Sequence, residues 1–168
     1  LIQGGTGSYS MQAEQPLDLP ERLESGTPNL LGICGLQAGM RFVEKKGREN
    51  IYRHEIGLLS QVYQVLSNTQ GIRLYTKKPQ LFSSAAVLSV NVDGMRSEDV
   101  ARELDRHGVA VRAGLHCAPL AHRRFGTLSH GTVRLAPSAF SSPQEAKTIC
   151  KLFDQIAQKT LHNKKNML

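Results

Sequence analysis

The sequence predicts an α/β domain in which helices cover a small, mostly antiparallel β-sheet. Two patterns carry this prediction. Every second side chain in residues 86–92 is apolar, which is typical of a strand with one buried face. Apolar side chains in residues 58–66 and 149–156 recur at helical spacing and form one stripe on each segment. The predicted order is helix, helix, strand, strand, helix, strand, loop, strand, helix, which suits a layer of helices on a sheet.

The first part of the chain combines loops with two helices. Residues 1–27 are polar, rich in glycine, serine, glutamine and proline, and are predicted as loops. A helix is predicted over 28–46, because proline is favoured in a first turn and Gly47 provides a stop. This helix carries apolar side chains and glycines that are expected to allow close packing: Leu31, Cys34, Ala38, Phe42, Gly32, Gly35 and Gly39. The next helix carries the stripe over 58–66 and ends before a turn at 68–71.

The remaining elements form the predicted sheet and its cover. Short strands are predicted over residues 72–75, 86–92, 109–112 and 132–135. Ser97 is the expected N-cap of a helix that ends at Gly108, since serine caps helices well and two acidic residues follow it. Pro143 begins the last helix, and the basic tail over 161–168 is expected to fray.

The charge of the chain is unevenly distributed. The net charge is +7, yet residues 1–40 hold one basic and four acidic side chains. Residues 111–134 hold four arginines and no acid, which suits a small anionic ligand such as a carboxylate or a phosphate. Aromatic residues make up only 5 % of the chain, so no nucleic-acid partner is predicted. No apolar run approaches the roughly 20 residues of a membrane helix, and no secretory signal is visible, so a cytoplasmic location is expected.

Three cysteines stand far apart, at 34, 117 and 150. An odd number at wide spacing is against a disulfide framework. His116, Cys117 and His122 are also not expected to hold a metal, because no second cluster of ligands completes a coordination shell. The sequence therefore predicts free thiols and no metal site.

The segment Val111 to His122, VRAGLHCAPLAH, is the most informative part of the chain. Gly114 and Pro119 interrupt regular structure, so Cys117 is predicted on a loop. A guanidinium and an imidazole nearby favour the thiolate, which is the nucleophilic form of sulfur. The alternative is that a lone cysteine is a small apolar filler, and the neighbouring residues favour the nucleophile.

Strand alternation also predicts where two arginines point. In the third predicted strand two valines share a face, so Arg112 points the other way. In the fourth, Val133 and Leu135 share a face, so Arg134 also points away from the core. Both guanidiniums are therefore expected in one cleft beside Cys117. The alternative is that both are ordinary surface arginines.

Taken together, these motifs resemble a known family. The chain resembles, to about residue 157, the C-terminal part of a pyridoxal-phosphate (PLP) enzyme of the class V aminotransferase group, specifically the cysteine desulfurases. Four segments carry the resemblance, in the family's order: Gly4-Gly5-Thr6-Gly7-Ser8, Glu24-Ser25-Gly26-Thr27-Pro28-Asn29, Arg112 to His122, and Gly131-Thr132-Val133-Arg134. The resemblance implies the small domain of a PLP-dependent transferase of fold type I, with a strip of the large domain. Residues 1–27 would end the large domain, and residues 28–168 would form the small domain, joined through a linking helix over 28–46.

The resemblance also implies roles for the residues around the cysteine. Cys117 would attack the sulfur of a cysteine substrate bound to PLP and become a persulfide, with alanine as the product. Arg134 would grip the substrate α-carboxylate through a planar two-point contact, with Arg112 beside it. His116 belongs with the substrate-binding residues, and the sequence leaves open whether it tunes Cys117 or only packs.

Further implications concern partners. The family forms homodimers, in which Thr27 would reach across the interface to the PLP phosphate of the partner subunit. Gly5 and Thr6 would border the same site. A sulfur-acceptor protein is a further partner that the resemblance suggests.

The chain departs from the family's pattern in two respects. The lysine that binds PLP covalently is expected before Leu1, and the lysines at 45, 46, 77 and 78 do not match its motif. The chain alone is therefore expected to lack desulfurase activity. Residues 140–143 replace the family's aromatic-asparagine turn, and Ala136-Pro137 stiffens the segment after Arg134.

Other interpretations remain open. Within the class, the chain fits a selenocysteine lyase or another class V transaminase-like enzyme. From a different class, it fits a non-catalytic remnant that lacks the PLP lysine. A basic nucleic-acid-binding module is supported by the net charge alone.

Overall fold

The computed structural model describes residues 11–165 together with residues 5, 7 and 9. It divides into two units, Leu1–Lys46 and Gly47–Leu168. Its elements are α1 (Leu30–Lys46), α2 (Arg48–Leu66), β1 (Ile72–Leu74), β2 (Leu88–Val92), α3 (Ser97–Asp105), β3 (Arg112–Gly114), α4 (Pro119–Phe125), β4 (Thr132–Leu135) and α5 (Pro143–Lys165), with a 3-10 turn at Glu21–Leu23. The strand order is β1-β2-β4-β3, and all three pairings are antiparallel. The predicted α/β architecture is confirmed, whereas the assignment of residues 1–27 to a larger domain stays a prediction.

In the first unit, α1 begins at Leu30 rather than at the proline two residues earlier. Asn29 caps it, because its Oδ1 accepts the N–H of Gly32 at 2.9 Å. A Cβ at position 32 would lie 2.4 Å from the Asn29 amide nitrogen, so this glycine makes room for the cap. The expected packing around Gly35 and Gly39 is absent from the described chain, where a Cβ at either would meet no atom within 4 Å.

In the second unit, α2, α3 and α5 pack on one face of the sheet. The core contains alternate residues of the two central strands, Leu88, Val90, Val92, Val133 and Leu135. The apolar stripes predicted on the helices complete this core, and Leu66 and Phe153 are fully buried in it. Val65 is the exception in its stripe and is 46 % exposed. Phe153→Ala should lower the free energy of unfolding by about 3–5 kcal/mol, because it leaves a cavity in this core. The helix layer therefore stabilises the sheet on which the site is built.

Two sequence predictions near α3 are wrong. Ser97 is the first helical residue and not the N-cap; its hydroxyl donates to the carbonyl of His130 at 2.6 Å. The third strand does not span 109–112, because the N–H of Val109 turns back to the carbonyl of Leu104 at 3.1 Å and closes the end of the helix. Pairing therefore starts only at Arg112.

The sequence also missed one helix and ended another too early. Pro119 was expected to interrupt structure, but it is the first residue of α4. The helix stops after Phe125, where Gly126 adopts the left-handed conformation. At the other end of the chain, α5 includes residues 161–165, where fraying was expected. Among the described helices, none is long and apolar enough to cross a bilayer.

A close approach of two glycines fixes the end of β3 against the start of β4. Gly131 has a φ of +60°, and a Cβ there would lie 2.6 Å from the Cα of Gly114. Gly131→Ala should lower the free energy of unfolding by about 2–5 kcal/mol, because left-handed backbone costs a side-chain-bearing residue about 1–2 kcal/mol and overpacking adds about 1–3 kcal/mol. Urea denaturation measures this loss.

The matched control for that change is Gly108→Ala. Gly108 has a φ of +73°, and a Cβ there would meet no described atom within 4 Å. This variant should lose only the conformational part, about 1–2 kcal/mol. Equal losses in the two variants would show that the contact between the two glycines does not matter.

Candidate functional site

The sheet face opposite the helices carries a row of polar side chains. Arg134 on β4 lies directly opposite Arg112 on β3 and opposite Ser89 on β2. Directly paired residues of neighbouring strands project from the same face, so both arginines share one side of the sheet. The predicted orientation away from the core is thus observed, although β3 itself begins three residues later than expected.

The positive charges of the two arginines are not neutralised by a carboxylate among the described residues. Neither Arg112 nor Arg134 pairs with a carboxylate within the described residues. Like charges directly opposite each other on a sheet are destabilising, and an anion between them would offset the repulsion. The arrangement therefore suits a carboxylate or a phosphate.

The turn between β3 and α4 carries the cysteine, as the sequence predicts. His116 and Cys117 both have left-handed backbone, with φ of 50° and 57°. The turn is closed by the N–H of Ala118, which donates to the carbonyl of Leu115 at 2.8 Å. The Cys117 thiol is exposed. Left-handed conformation at two such residues is costly, and strain of this kind concentrates at functional sites.

His116 connects this turn to the arginine row. Its Nε2 lies 3.0 Å from the carbonyl oxygen of Thr132 on β4. Burial lowers the pKa of His116, and the charges of Arg134, His122 and Arg112 lower it further, while the bond to Thr132 opposes them. The structure thus brings both arginines and His116 together around the turn that carries Cys117.

From the sequence, His122 was considered only as a metal ligand, which was rejected, and Thr127 was given no role. His122 is the buried residue of α4, and its Nδ1 lies 2.7 Å from the hydroxyl of Thr127. The rings of His116 and His122 are 5.9 Å apart. Pro119 at the first position and Gly126 after the last could have indicated the short helix, but they do not show that His122 is buried.

Asn91 is a further buried polar residue on this face of the sheet. Its Nδ2 donates to the carbonyl of Gly131 at 2.9 Å, which ties β2 to the start of β4. The Oδ1 atom has no hydrogen-bond partner among the described residues. The alternation pattern placed Asn91 on the polar face, but not its burial under the loop before β4.

The residues predicted to contact a cofactor phosphate lie in the first unit. Thr6 is outside the described residues. The N–H of Gly26 donates to the carbonyl of Gly5 at 2.7 Å, so the glycine cluster and the segment before α1 meet there. Thr27 is exposed.

The three cysteines differ in environment. Cys34 and Cys117 are exposed and Cys150 is buried, and burial raises the pKa of the Cys150 thiol. Close packing was expected around Cys34, and this expectation is wrong, because no residue of α1 is buried within the described chain.

Brief labelling with iodoacetamide should therefore modify Cys117 first, Cys34 next and Cys150 only after unfolding. The thiolate is the reactive form, and Cys117 lies on an arginine-flanked turn whereas Cys150 is desolvated. Mass-spectrometric mapping of the labelled peptides measures the order. Early labelling of Cys150 in the folded chain would contradict this account of the core.

Comparison with known proteins places these features in a family. The class-V aminotransferase family model matches residues 1–147. The chain is 33 % identical to a probable cysteine desulfurase of Synechocystis sp. over 86 % of this chain and 33 % of that protein. It is 33 % identical to a probable cysteine desulfurase of Pyrococcus abyssi over 94 % of this chain and 39 % of that protein. The chain thus spans about a third of the length of these relatives.

Solved structures give the same result for the fold. The apo structure of a cysteine desulfurase from Thermococcus onnurineus NA1 matches 83 % of this chain and 34 % of that chain, with a TM-score of 0.73 and 35 % identity. A cysteine desulfurase from Escherichia coli shares the fold at 23 % identity and a TM-score of 0.68, over 81 % of this chain and 32 % of its own. The predicted membership in PLP-dependent transferase fold type I is confirmed. With an exposed cysteine on the turn after β3 and two arginines paired across β3 and β4, this chain belongs to the class-V aminotransferase family.

Proposed function

We propose that this chain is the C-terminal part of a PLP-dependent cysteine desulfurase, which removes sulfur from cysteine and leaves alanine and a persulfide on Cys117. One observation carries the proposal. An exposed thiol lies on a strained turn next to two arginines that face each other without a carboxylate in the described chain. A nucleophile beside an anion site is what attack on an amino-acid substrate requires.

Arg134 binds the α-carboxylate of the substrate in this proposal. It is half-buried on a central strand, directly opposite Ser89 on one side and Arg112 on the other. A planar guanidinium offers two parallel N–H donors to a carboxylate, and partial burial strengthens the contact. Arg112, on the edge strand and exposed, adds charge and a second contact.

Cys117 carries out the sulfur transfer. Its thiolate attacks the substrate sulfur, a new S–S bond forms, and the substrate C–S bond breaks. The electron pair of the C–S bond passes to the former substrate carbon, which takes up a proton to become the methyl group of alanine. The terminal sulfur stays on Cys117 as a persulfide for an acceptor, for which a sulfur-acceptor protein is the proposed partner.

The cofactor contribution of the chain lies at Thr27 with Gly5 and Thr6. A hydroxyl and the backbone N–H groups of small residues suit a phosphate, and Thr27 is exposed, so the donors fit. When bound, PLP supplies an electron sink that weakens the bonds at the substrate α-carbon. We place these residues at the PLP of a partner subunit in a cytoplasmic homodimer, and the covalent lysine outside these 168 residues.

The charge selectivity of alkylation at Cys117 tests the anion site. Iodoacetate carries a carboxylate and iodoacetamide is its neutral analogue. The rate of Cys117 alkylation by iodoacetate divided by the rate with iodoacetamide therefore reports how strongly the arginines attract a carboxylate. Arg134→Ala should lower this ratio about two- to fivefold, the size of a partly screened charge contact. Loss of the preference would support the carboxylate role.

The matched control is Arg106→Ala. Arg106 pairs with Glu103 on α3, on the helix-covered side, and its removal changes the net charge equally. The ratio at the exposed Cys34 serves as an internal reference. An unchanged ratio in Arg134→Ala, or an equal fall in Arg106→Ala, would overturn the assignment.

A further inference from the structure

A buried polar pair lies directly behind the turn that carries Cys117. His122 is 6 % exposed and Thr127 is 1 % exposed. The His122 Nδ1 and the Thr127 hydroxyl share a hydrogen bond of 2.7 Å, and the N–H of Thr127 donates to the carbonyl of His122 at 2.9 Å. Buried polar side chains need such partners: the backbone bond holds Thr127 close to His122, and the bond to its hydroxyl orients the ring of His122.

The ring of His122 in turn packs against the ring of His116. The two centroids are 5.9 Å apart, and the rings are tilted by 43°. On its other side, His116 places Nε2 3.0 Å from the carbonyl oxygen of Thr132. A carbonyl only accepts hydrogen bonds, so Nε2 carries the proton and the neutral ring has its lone pair on Nδ1. The ring of His116 is thus held between α4 and β4.

The other ring nitrogen of His116, Nδ1, lacks a hydrogen bond within the described part of the chain. It is buried and has no hydrogen-bond partner among the described residues. The charged groups that face the ring are Arg134 from β4, Arg112 from β3 and His122 from α4, and together with burial they lower the pKa of His116. The lone pair on Nδ1 is therefore available to a proton donor, and the thiol of the next residue, Cys117, is exposed and does not bond to it in this structure.

We propose that His122 is a positioning residue for Cys117: fixed by Thr127, it holds the ring of His116 so that Nδ1 accepts a hydrogen bond from the reacting thiol when the Cys117 side chain rotates towards it. The inference rests on the proposed role of Cys117 as the nucleophile. As sulfur attacks, the S–H bond breaks, its proton moves to Nδ1, and its electron pair stays on sulfur to form the new bond. No oxidant or reductant is needed for this step.

The test measures the rate of Cys117 alkylation by iodoacetamide against pH, across the range in which histidine titrates. Thr127→Val removes the hydroxyl and nearly keeps the shape, whereas Thr127→Ser keeps the hydroxyl. Thr127→Val should slow Cys117 about five- to tenfold near neutral pH, the size of one lost hydrogen bond. It should also raise the lower midpoint of the profile towards the ordinary pKa of histidine, because the released ring regains water. Thr127→Ser should keep the original rate and midpoint.

A second variant and two internal reporters protect the test against misfolding. His122→Phe keeps an aromatic ring against His116 and loses the bond to Thr127, so it should behave like Thr127→Val. The buried Cys150 reports folding, and the exposed Cys34 reports the intrinsic rate of the reagent. Nitrogen-15 NMR of the unmodified chain should show His116 as the Nε2–H tautomer, which needs no variant.

The proposal is overturned by unchanged rates in both Thr127→Val and His122→Phe, by equal slowing in Thr127→Ser, or by an Nδ1–H tautomer of His116. Slowing at every pH without a shift of the midpoint would indicate a merely structural role and also overturn it. Iodoacetamide has no carboxylate and the reaction needs no cofactor. A failure of the charge-selectivity test at Arg134 would therefore leave these measurements interpretable, and the reverse also holds.

Discussion

In a full-length enzyme that contains this segment, Arg134→Ala raises the KM for cysteine about 30- to 1000-fold. Loss of a charge-assisted two-point contact costs on the order of 2–4 kcal/mol, and the effect falls on binding because the carboxylate does not change during the reaction. Arg112, directly opposite on β3, keeps its charge in this variant and still attracts the carboxylate, so binding is weakened and not abolished. Steady-state kinetics with cysteine measure the change.

Two further variants show whether geometry or charge is responsible. Arg134→Lys keeps the charge and should rescue little, because an ammonium group cannot reproduce the two parallel donors of a guanidinium. Arg106→Ala removes one positive charge just after α3. It should leave the KM within about twofold of that of the parent enzyme, as expected for the exposed ion pair with Glu103. A KM in Arg134→Ala equal to that of the parent enzyme would show that the carboxylate binds elsewhere.

The second large effect is expected at the nucleophile. In the same full-length enzyme, Cys117→Ala should lower kcat for sulfur release by at least about 1000-fold, because removal of a nucleophile leaves only the contribution of binding. The KM should change little, since the arginines remain. Alanine removes the sulfur and leaves the fold alone, as the Cys117 side chain is exposed.

Cys34→Ser is the matched control for that change. Cys34 is also exposed, and it lies on α1 of the first unit. This variant should keep its activity. Equal activity of Cys117→Ala and the parent enzyme would mean that another group accepts the sulfur.

The sheet and the aim of its arginines were predictable because local pattern decides them. In β4 the bounds Thr132–Leu135 agree with the prediction, and alternation of buried and outward side chains follows from the pleat. The cysteine loop followed equally well, because Gly114 ends β3 with a φ of +105°. Each of these features depends on neighbours within a few residues.

The parts that were missed depend on contacts between distant residues. The third strand was misplaced because the helix before it uses the N–H of Val109, a choice that the valine-rich pattern does not reveal. Ser97 was expected as a cap, but its hydroxyl bonds the carbonyl of His130, 33 residues away. The His122–Thr127 pair was invisible because burial of a histidine depends on what covers it.

The most direct test of the account is to locate the sulfur after turnover. The full-length enzyme is mixed with cysteine, the products are trapped with an alkylating agent, and the tryptic peptides are mapped by mass spectrometry. The account predicts one extra sulfur on the peptide that contains Cys117, with alanine released in equal amount, and no extra sulfur on the peptides of Cys34 and Cys150. Alanine release with the extra sulfur on either of those peptides, or with none on Cys117, would contradict it.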